Sequence, residues 1–144
     1  MGKFDLVPQV LNELGVKTVF HQVSQKPGKP LLFAQARSGK VVFGLPGNPV
    51  STIVCAVRYV LPYLNKTCGQ NVAVPLVELG AIVKQHPNLS FFLPVSLNKS
   101  GQASPVGFAG SGDYGALTKS AGFAEIPQGK GSLEKGTGVK FFSW

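Results

Sequence analysis

Phe43-Gly44-Leu45-Pro46-Gly47-Asn48-Pro49-Val50-Ser51 joins an apolar, strand-like run to an apolar, helix-like run through a turn of small, rigid residues. Asn48 suits a helix N-cap, because its short side-chain oxygen can accept a first-turn amide. Pro49 suits the first helical position, where an N–H is not needed. Residues 50–61 are nearly all apolar, which predicts a buried helix that stops near Pro62. The free amides at its start, beside Gly47 where no side chain blocks approach, form a natural anion site.

Outward from this turn toward the N terminus, residues 31–36 and 40–43 read as two strands joined by Arg37-Ser38-Gly39, a hairpin-type turn. Before them stands Lys26-Pro27-Gly28-Lys29-Pro30. Its prolines fix φ and its glycine permits a sharp turn, so both lysines ride on a stiff loop; a solvated basic turn is the bland alternative. Residues 16–23 read as a short strand. Phe4, Val7, Val10, Leu11 and Leu14 recur at three- and four-residue steps, the stripe of an amphipathic helix that Gly15 stops. Pro8 is tolerated in its first turn, and Asp5 lies where the helix dipole favours negative charge, which offers a capping role beside any functional one. Helix, glycine and strand make half of an α/β unit.

Toward the C terminus, residues 65–71 are polar and contain glycine, and read as a linker. Residues 72–77, 80–83, 90–97, 103–108, 123–126 and 139–142 are short β-like runs between turns, the pattern of a small all-β sandwich or barrel, with a helical turn over 117–121. In Gly107-Phe108-Ala109-Gly110-Ser111-Gly112-Asp113, glycines would let backbone approach a ligand while Ser111 and Asp113 hydrogen-bond it; an ordinary β-turn is the alternative.

Composition narrows the partners. With 44% hydrophobic and 14% charged residues the chain buries a core, and 14 Lys+Arg against 6 Asp+Glu give a formal charge of +8, which favours anionic ligands. The lysines are scattered singly and no aromatic-basic signature appears, so nucleic acid is not an expected partner. The most apolar stretch, residues 53–64, is shorter than the ~20 residues of a membrane span and contains Arg58, so no membrane is expected either. Cys55 and Cys68 have neither the count nor the spacing of a disulfide framework or zinc site, and fit a reducing cytoplasm. His21 and His86 are far apart and read as surface or packing histidines. Neither a Walker pair nor a G-x-S-x-G elbow is present. Among the six acids, Asp5 and Asp113 are the plausible metal or proton handlers.

Lys26-Pro-Gly-Lys-Pro30, then Phe43-Gly-Leu-Pro-Gly-Asn-Pro-Val-Ser51, then a small β region with Gly110-Ser111-Gly112 together resemble the C-terminal part of the molybdopterin molybdenumtransferase family, MoeA and the gephyrin E domain. The resemblance runs along essentially the whole chain. It implies a partial three-layer, molybdopterin-binding-like α/β domain over residues 1–66 and a small all-β, barrel-like domain over residues 67–144. It also implies an enzyme, acting in the cytoplasm as a homodimer, that uses Mg2+ to insert molybdate into adenylylated molybdopterin. By likeness Asp5, Lys26 and Lys29 would be catalytic, with Asp5 the metal ligand and the lysines binding phosphate or molybdate. Pro46, Gly47, Asn48, Pro49, Ser51 and Ser111 would shape the substrate pocket. Three positions depart from the family pattern: Lys3 where the family's Gly-Gly-x-Ser-x-Gly-Asp stretch ends in aspartate, Gln22 where a second pocket lysine is common, and Leu93 near a frequent arginine. The chain reads as a truncated part of such an enzyme, inactive alone. The rival reading is an oligomerisation or scaffold module without catalysis.

Overall fold

The computed structural model describes residues 5–107 and 113–144. The chain enters through helix α1 (Val7–Glu13), with Pro8 in its first turn. Asp5 Oδ1 accepts the Val7 N–H at 3.3 Å, a turn-type bond at the helix entry, while the N-cap position itself is Leu6 and has no side-chain cap bond. At the other end Gly15 takes φ +70°, and the Gly15 and Val16 amides close on the Asn12 and Leu11 carbonyls. No residue of α1 is buried, however, and the expected stripe is bare: Val7, Val10 and Leu14 are 51%, 46% and 72% exposed.

Strand β1 (Lys17–His21) follows, then β2 (Gln25–Lys26), β3 (Leu32–Gln35) and β4 (Val41–Gly44). β1, β3 and β4 form an antiparallel sheet in that order, and the turn at residues 37–39 makes the β3–β4 hairpin, with Gly39 at φ +82°. β2 leaves this sheet. It pairs in parallel with a strand of the second half, Gln25 opposite Ser90 and Lys26 opposite Phe91.

After Asn48 the chain is helical from Pro49 to Thr67, in three segments: α2 (Pro49–Cys55), a π-helical turn (Ala56–Val60) and α3 (Leu61–Thr67). The expected stop at Pro62 does not occur. A proline cannot donate to the carbonyl four residues back, and the π turn immediately before it shifts that bonding pattern, so the helix absorbs the proline in the first turn of α3. Residues 65–67, expected in the linker, therefore belong to α3.

The second half holds β5 (Leu76–Glu78), β6 (Val83–Lys84), β7 (Ser90–Leu97), β8 (Ala103–Pro105), the one-turn α4 (Gly115–Thr118), β9 (Gly122–Ile126), β10 (Ser132–Leu133) and β11 (Gly138–Phe142). The main sheet runs β2-β7-β9-β11-β5, with β8 also on β7, while β6 pairs with β10. Among the described residues this is an open sheet in a mixed α/β chain rather than a closed barrel. The β5 and β8 sides meet through a single Leu79–Ala103 bridge, not a ladder.

Two apolar clusters order the molecule. One is internal to the second half and includes Leu79, Val95, Ala124, Ile126 and Phe141. The other joins the halves: Val50, Val54 and Val57 of the helix pack on Phe92, Phe123 and Phe142 of β7, β9 and β11. Arg58 caps this seam, its guanidinium 5.2 Å from the Tyr59 ring centre and 5.4 Å from that of Phe142, and its Nε 3.4 Å from Glu125 Oε2. On its other side the helix meets the first sheet through Tyr63, edge-on to Phe43 at 5.5 Å. One helix therefore anchors both sheets.

Candidate active site

The Pro46–Ser51 turn is built by local bonding. Asn48 takes an extended conformation (ψ 125°), and its side chain accepts the Ser51 N–H at 3.1 Å. Thr52 Oγ1 donates back to the Pro46 carbonyl and to the Asn48 carbonyl. This is the N-cap expected from the sequence, and it uses up a donor. Pro49 has no amide hydrogen and Ser51's is already taken by Asn48, so the helix start offers an anion fewer free donors than a generic N terminus. Positive charge at the site has to come from side chains.

A cavity of about 550 Å³ opens over this turn, lined by Asp5, His21, Pro30, Gly44, Pro46, Gly47, Asn48 and Ser51 among others. It brings Asp5 together with four of the five predicted turn residues; Pro49 is not in its lining. A Cβ on Gly47 would meet nothing within 4 Å, so backbone there is open to a ligand. The lysines lie next door. A second cavity of about 300 Å³ is lined by the whole 25–30 segment, Ser51 and Leu89, and shares Pro30 and Ser51 with the first. Ser51, 5% exposed, is thus the common wall. Lys26 also faces a third cavity of about 400 Å³ with Lys84, His86 and Phe91.

Ser111 falls outside the described residues, so the approach of its loop to the site is not part of this geometry. Leu93 is buried within the sheet cluster of the second half and lines none of these cavities. Gln22, at φ +89° with its N–H on the Leu31 carbonyl, likewise stays outside the lining. His21 and His86, read as surface or packing residues, both line cavities; nothing in a single isolated histidine signals that, because the contact depends on strand pairing far away in sequence.

The lysine loop is the most firmly held part of the site. Gln25, 2% exposed, donates from Nε2 to the Pro27 carbonyl at 2.9 Å, lies 3.7 Å from Cys55 Sγ, and accepts the Tyr59 hydroxyl on Oε1. Burial pushes the Cys55 thiol up to about 12, the Gln25 hydrogen bond opposing this only in part. Burial likewise raises the Tyr59 hydroxyl. Both stay protonated and able to donate across the neutral range. No group of three His, Cys, Asp or Glu side chains comes together among the described residues.

The chain is thus an α/β unit with a proline-glycine helix turn and a two-lysine loop, joined through one helix to a β-sheet half, with adjoining cavities over the turn and the loop. Residues 1–66 match the probable molybdopterin binding domain and residues 77–144 match the MoeA C-terminal region, domain IV. The molybdopterin molybdenumtransferase of Synechocystis is 39% identical over 99% of this chain and 36% of its own length. That of Synechococcus elongatus is 37% identical over 97% of this chain and 35% of its own. A crystal structure of a molybdopterin biosynthesis MoeA protein from Pyrococcus horikosii superposes with a TM-score of 0.76 at 31% identity, covering 96% of this chain and 34% of that one. The chain belongs to the molybdopterin molybdenumtransferase family and spans about a third of the length of these relatives.

Proposed function

We propose that the chain supplies one wall of a pocket in which molybdate is inserted into adenylylated molybdopterin. The observation that carries this reading is the adjacency of the two cavities. Asp5 and the Pro46–Asn48 turn line one, Lys26 and Lys29 line the other, and Ser51 and Pro30 belong to both. A ligand bearing phosphate at one end and accepting an oxyanion at the other would span this pair. Lys26 and Lys29 would hold the phosphate or molybdate as point charges. Pro46, Gly47, Asn48, Pro49 and Ser51 would shape the pterin side, and Ser111 would approach from the second half.

Magnesium is tested by the donors present. Mg2+ takes oxygen ligands in near-octahedral array and usually draws several from water and substrate phosphate. Asp5 is the single carboxylate lining the larger cavity, and its Oδ1 already accepts the Val7 amide. The described residues therefore do not make a magnesium site by themselves, and catalysis by this chain alone is not expected. The domain division at residues 66/67 falls one residue before the end of α3. Two free cysteines fit a cytoplasmic location. No helix is long and apolar enough to cross a membrane among the described residues.

Binding of adenylylated molybdopterin, followed by the intrinsic fluorescence of the pterin, tests the reading. We expect saturable binding that Lys26→Ala with Lys29→Ala removes. Binding unchanged by that double substitution, or equally erased by added salt in every variant, would reject it. The scaffold reading has one specific support, the exposed apolar residues Leu6, Val7, Val10, Leu14, Val19 and Phe20 around α1 and β1, a surface suited to association with another chain or copy. Sedimentation at increasing concentration separates this from a monomeric binder.

A further inference from the structure

A fully buried primary amide is rarely neutral. Its two donors and its acceptor must find partners, or the desolvation of each weighs against folding. Gln25 is such a residue, and all of its contacts converge on one purpose. Its Nε2 holds the Pro27 carbonyl, and the Cys55 thiol, also within reach of Nε2, donates to the Gly28 carbonyl at 3.6 Å. Its Oε1 is held in turn by Tyr59, from the π-helical turn. Pro27 and Gly28 are the two residues between the lysines. Their carbonyls are thus tied to one side chain at the start of the loop and one at the end of α2.

Gly28 shows how closely the tie is packed. It adopts φ +95°, and a Cβ there would lie 2.5 Å from Gln25 Nε2 and 2.8 Å from Cys55 Sγ. Backbone bonds complete the frame, with the Val23 amide on the Lys29 carbonyl at 2.9 Å and the Leu31 amide on the Gly28 carbonyl at 3.3 Å. The lysine side chains themselves form no ion pair among the described residues. Their placement rests on the backbone that carries them.

We propose that Gln25 is a positioning residue, whose buried amide ties the two-lysine loop to the Cys55–Tyr59 stretch of the helix so that Lys26 and Lys29 meet an oxyanion at a fixed separation. This rests on the pocket reading above. The test uses the 144-residue chain with molybdate and inorganic phosphate as probes, and three variants: Gln25→Met, which keeps length and apolar bulk but removes the amide; Tyr59→Phe, which removes one oxygen; and Lys26→Ala with Lys29→Ala. In Gln25→Met, folded by circular dichroism at the temperature used, molybdate affinity falls about tenfold, as loss of one buried hydrogen-bonded tie would cause. Amide exchange at Val23 and Leu31, whose bonds frame the loop, accelerates in parallel. Tyr59→Phe, the milder perturbation, shows the same pair of changes at smaller size.

A merely structural Gln25 would lower thermal stability while leaving affinity and those two exchange rates at wild-type values, and that result overturns the proposal. The lysine pair separates the two readings. If it abolishes molybdate binding while folded Gln25→Met and Tyr59→Phe bind normally, the pocket reading stands and the tie is wrong. If molybdate binding survives the loss of both lysines, the pocket reading falls, and the Val23 and Leu31 exchange rates alone then decide whether Gln25 holds the loop.

Discussion

β1 and β7 both carry phenylalanine and valine side chains, yet their fates differ. No residue of β1 is buried, and Val19 is 55% exposed, whereas β7 buries Phe92, Leu93, Pro94 and Val95 in succession. β7 lies between β2 and β9, carries β8, and contributes Phe92 to the seam with the helix; β1 sits at an edge with only β3 as neighbour. β7 is the more apolar strand, but Val19 and Phe20 of β1 are apolar too and still lie exposed. What differs is whether a second layer arrives to cover it. The order of this molecule therefore centres on the helix and the second half, and the site stands at the boundary between the well-covered part and the bare one.

That contrast can be broken first at the seam. Phe123, fully buried between the helix and the sheet, is expected to cost about 3–5 kcal/mol when changed to Ala, read as a loss of denaturant midpoint. A loss below about 1 kcal/mol would mean the two halves do not share a core. The next effect is alkaline. The Cys55 thiol is raised to about 12 from its ordinary 9.0, so the unfolded chain sheds the proton first. Stability is intact below about pH 9 and is lost as pH climbs toward 12, and Cys55→Ala should flatten that decline. A thiol reagent at neutral pH should accordingly label exposed Cys68 quickly and buried Cys55 only on unfolding.

Smaller again is Gly28→Ala, which places a side chain at φ +95° and against Gln25; about 1–3 kcal/mol of destabilisation is expected from the strained backbone, with weakened oxyanion binding. Asn48→Ala removes the cap on Ser51 and should cost about 1 kcal/mol. On the bare side, Val10→Ser should change stability by less than about 0.5 kcal/mol, since the side chain is already 46% exposed. A large effect there would mean that α1 is covered in solution, and would move the comparison toward the association reading.

Much of this architecture was legible in the residues. The hairpin around Gly39, the Gly15 stop and the Asn48 cap are local devices, each decided by a few neighbouring residues, and all three appear. The two-lysine loop was legible as stiff, but not why: its ties run to Cys55 and Tyr59, and contacts some 30 residues away leave no local pattern. The bare stripe of α1 and the helical passage through Pro62 were misread for related reasons, since periodicity reports that a face is apolar without reporting what covers it, and a proline rule assumes α-type bonding that the π turn alters. His21 and His86 are seen to line cavities only once the folded chain places them.

In the proposed function the lysine loop and the Gly47–Ser51 turn form one anion-binding wall. Titrating the isotopically labelled chain with molybdate and following backbone amide resonances tests it most directly. Gly28 and Lys29 are expected to shift together with Gly47 and Ser51, all fitting a single dissociation constant. Shifts confined to one of the two segments, or two unrelated constants, would contradict it.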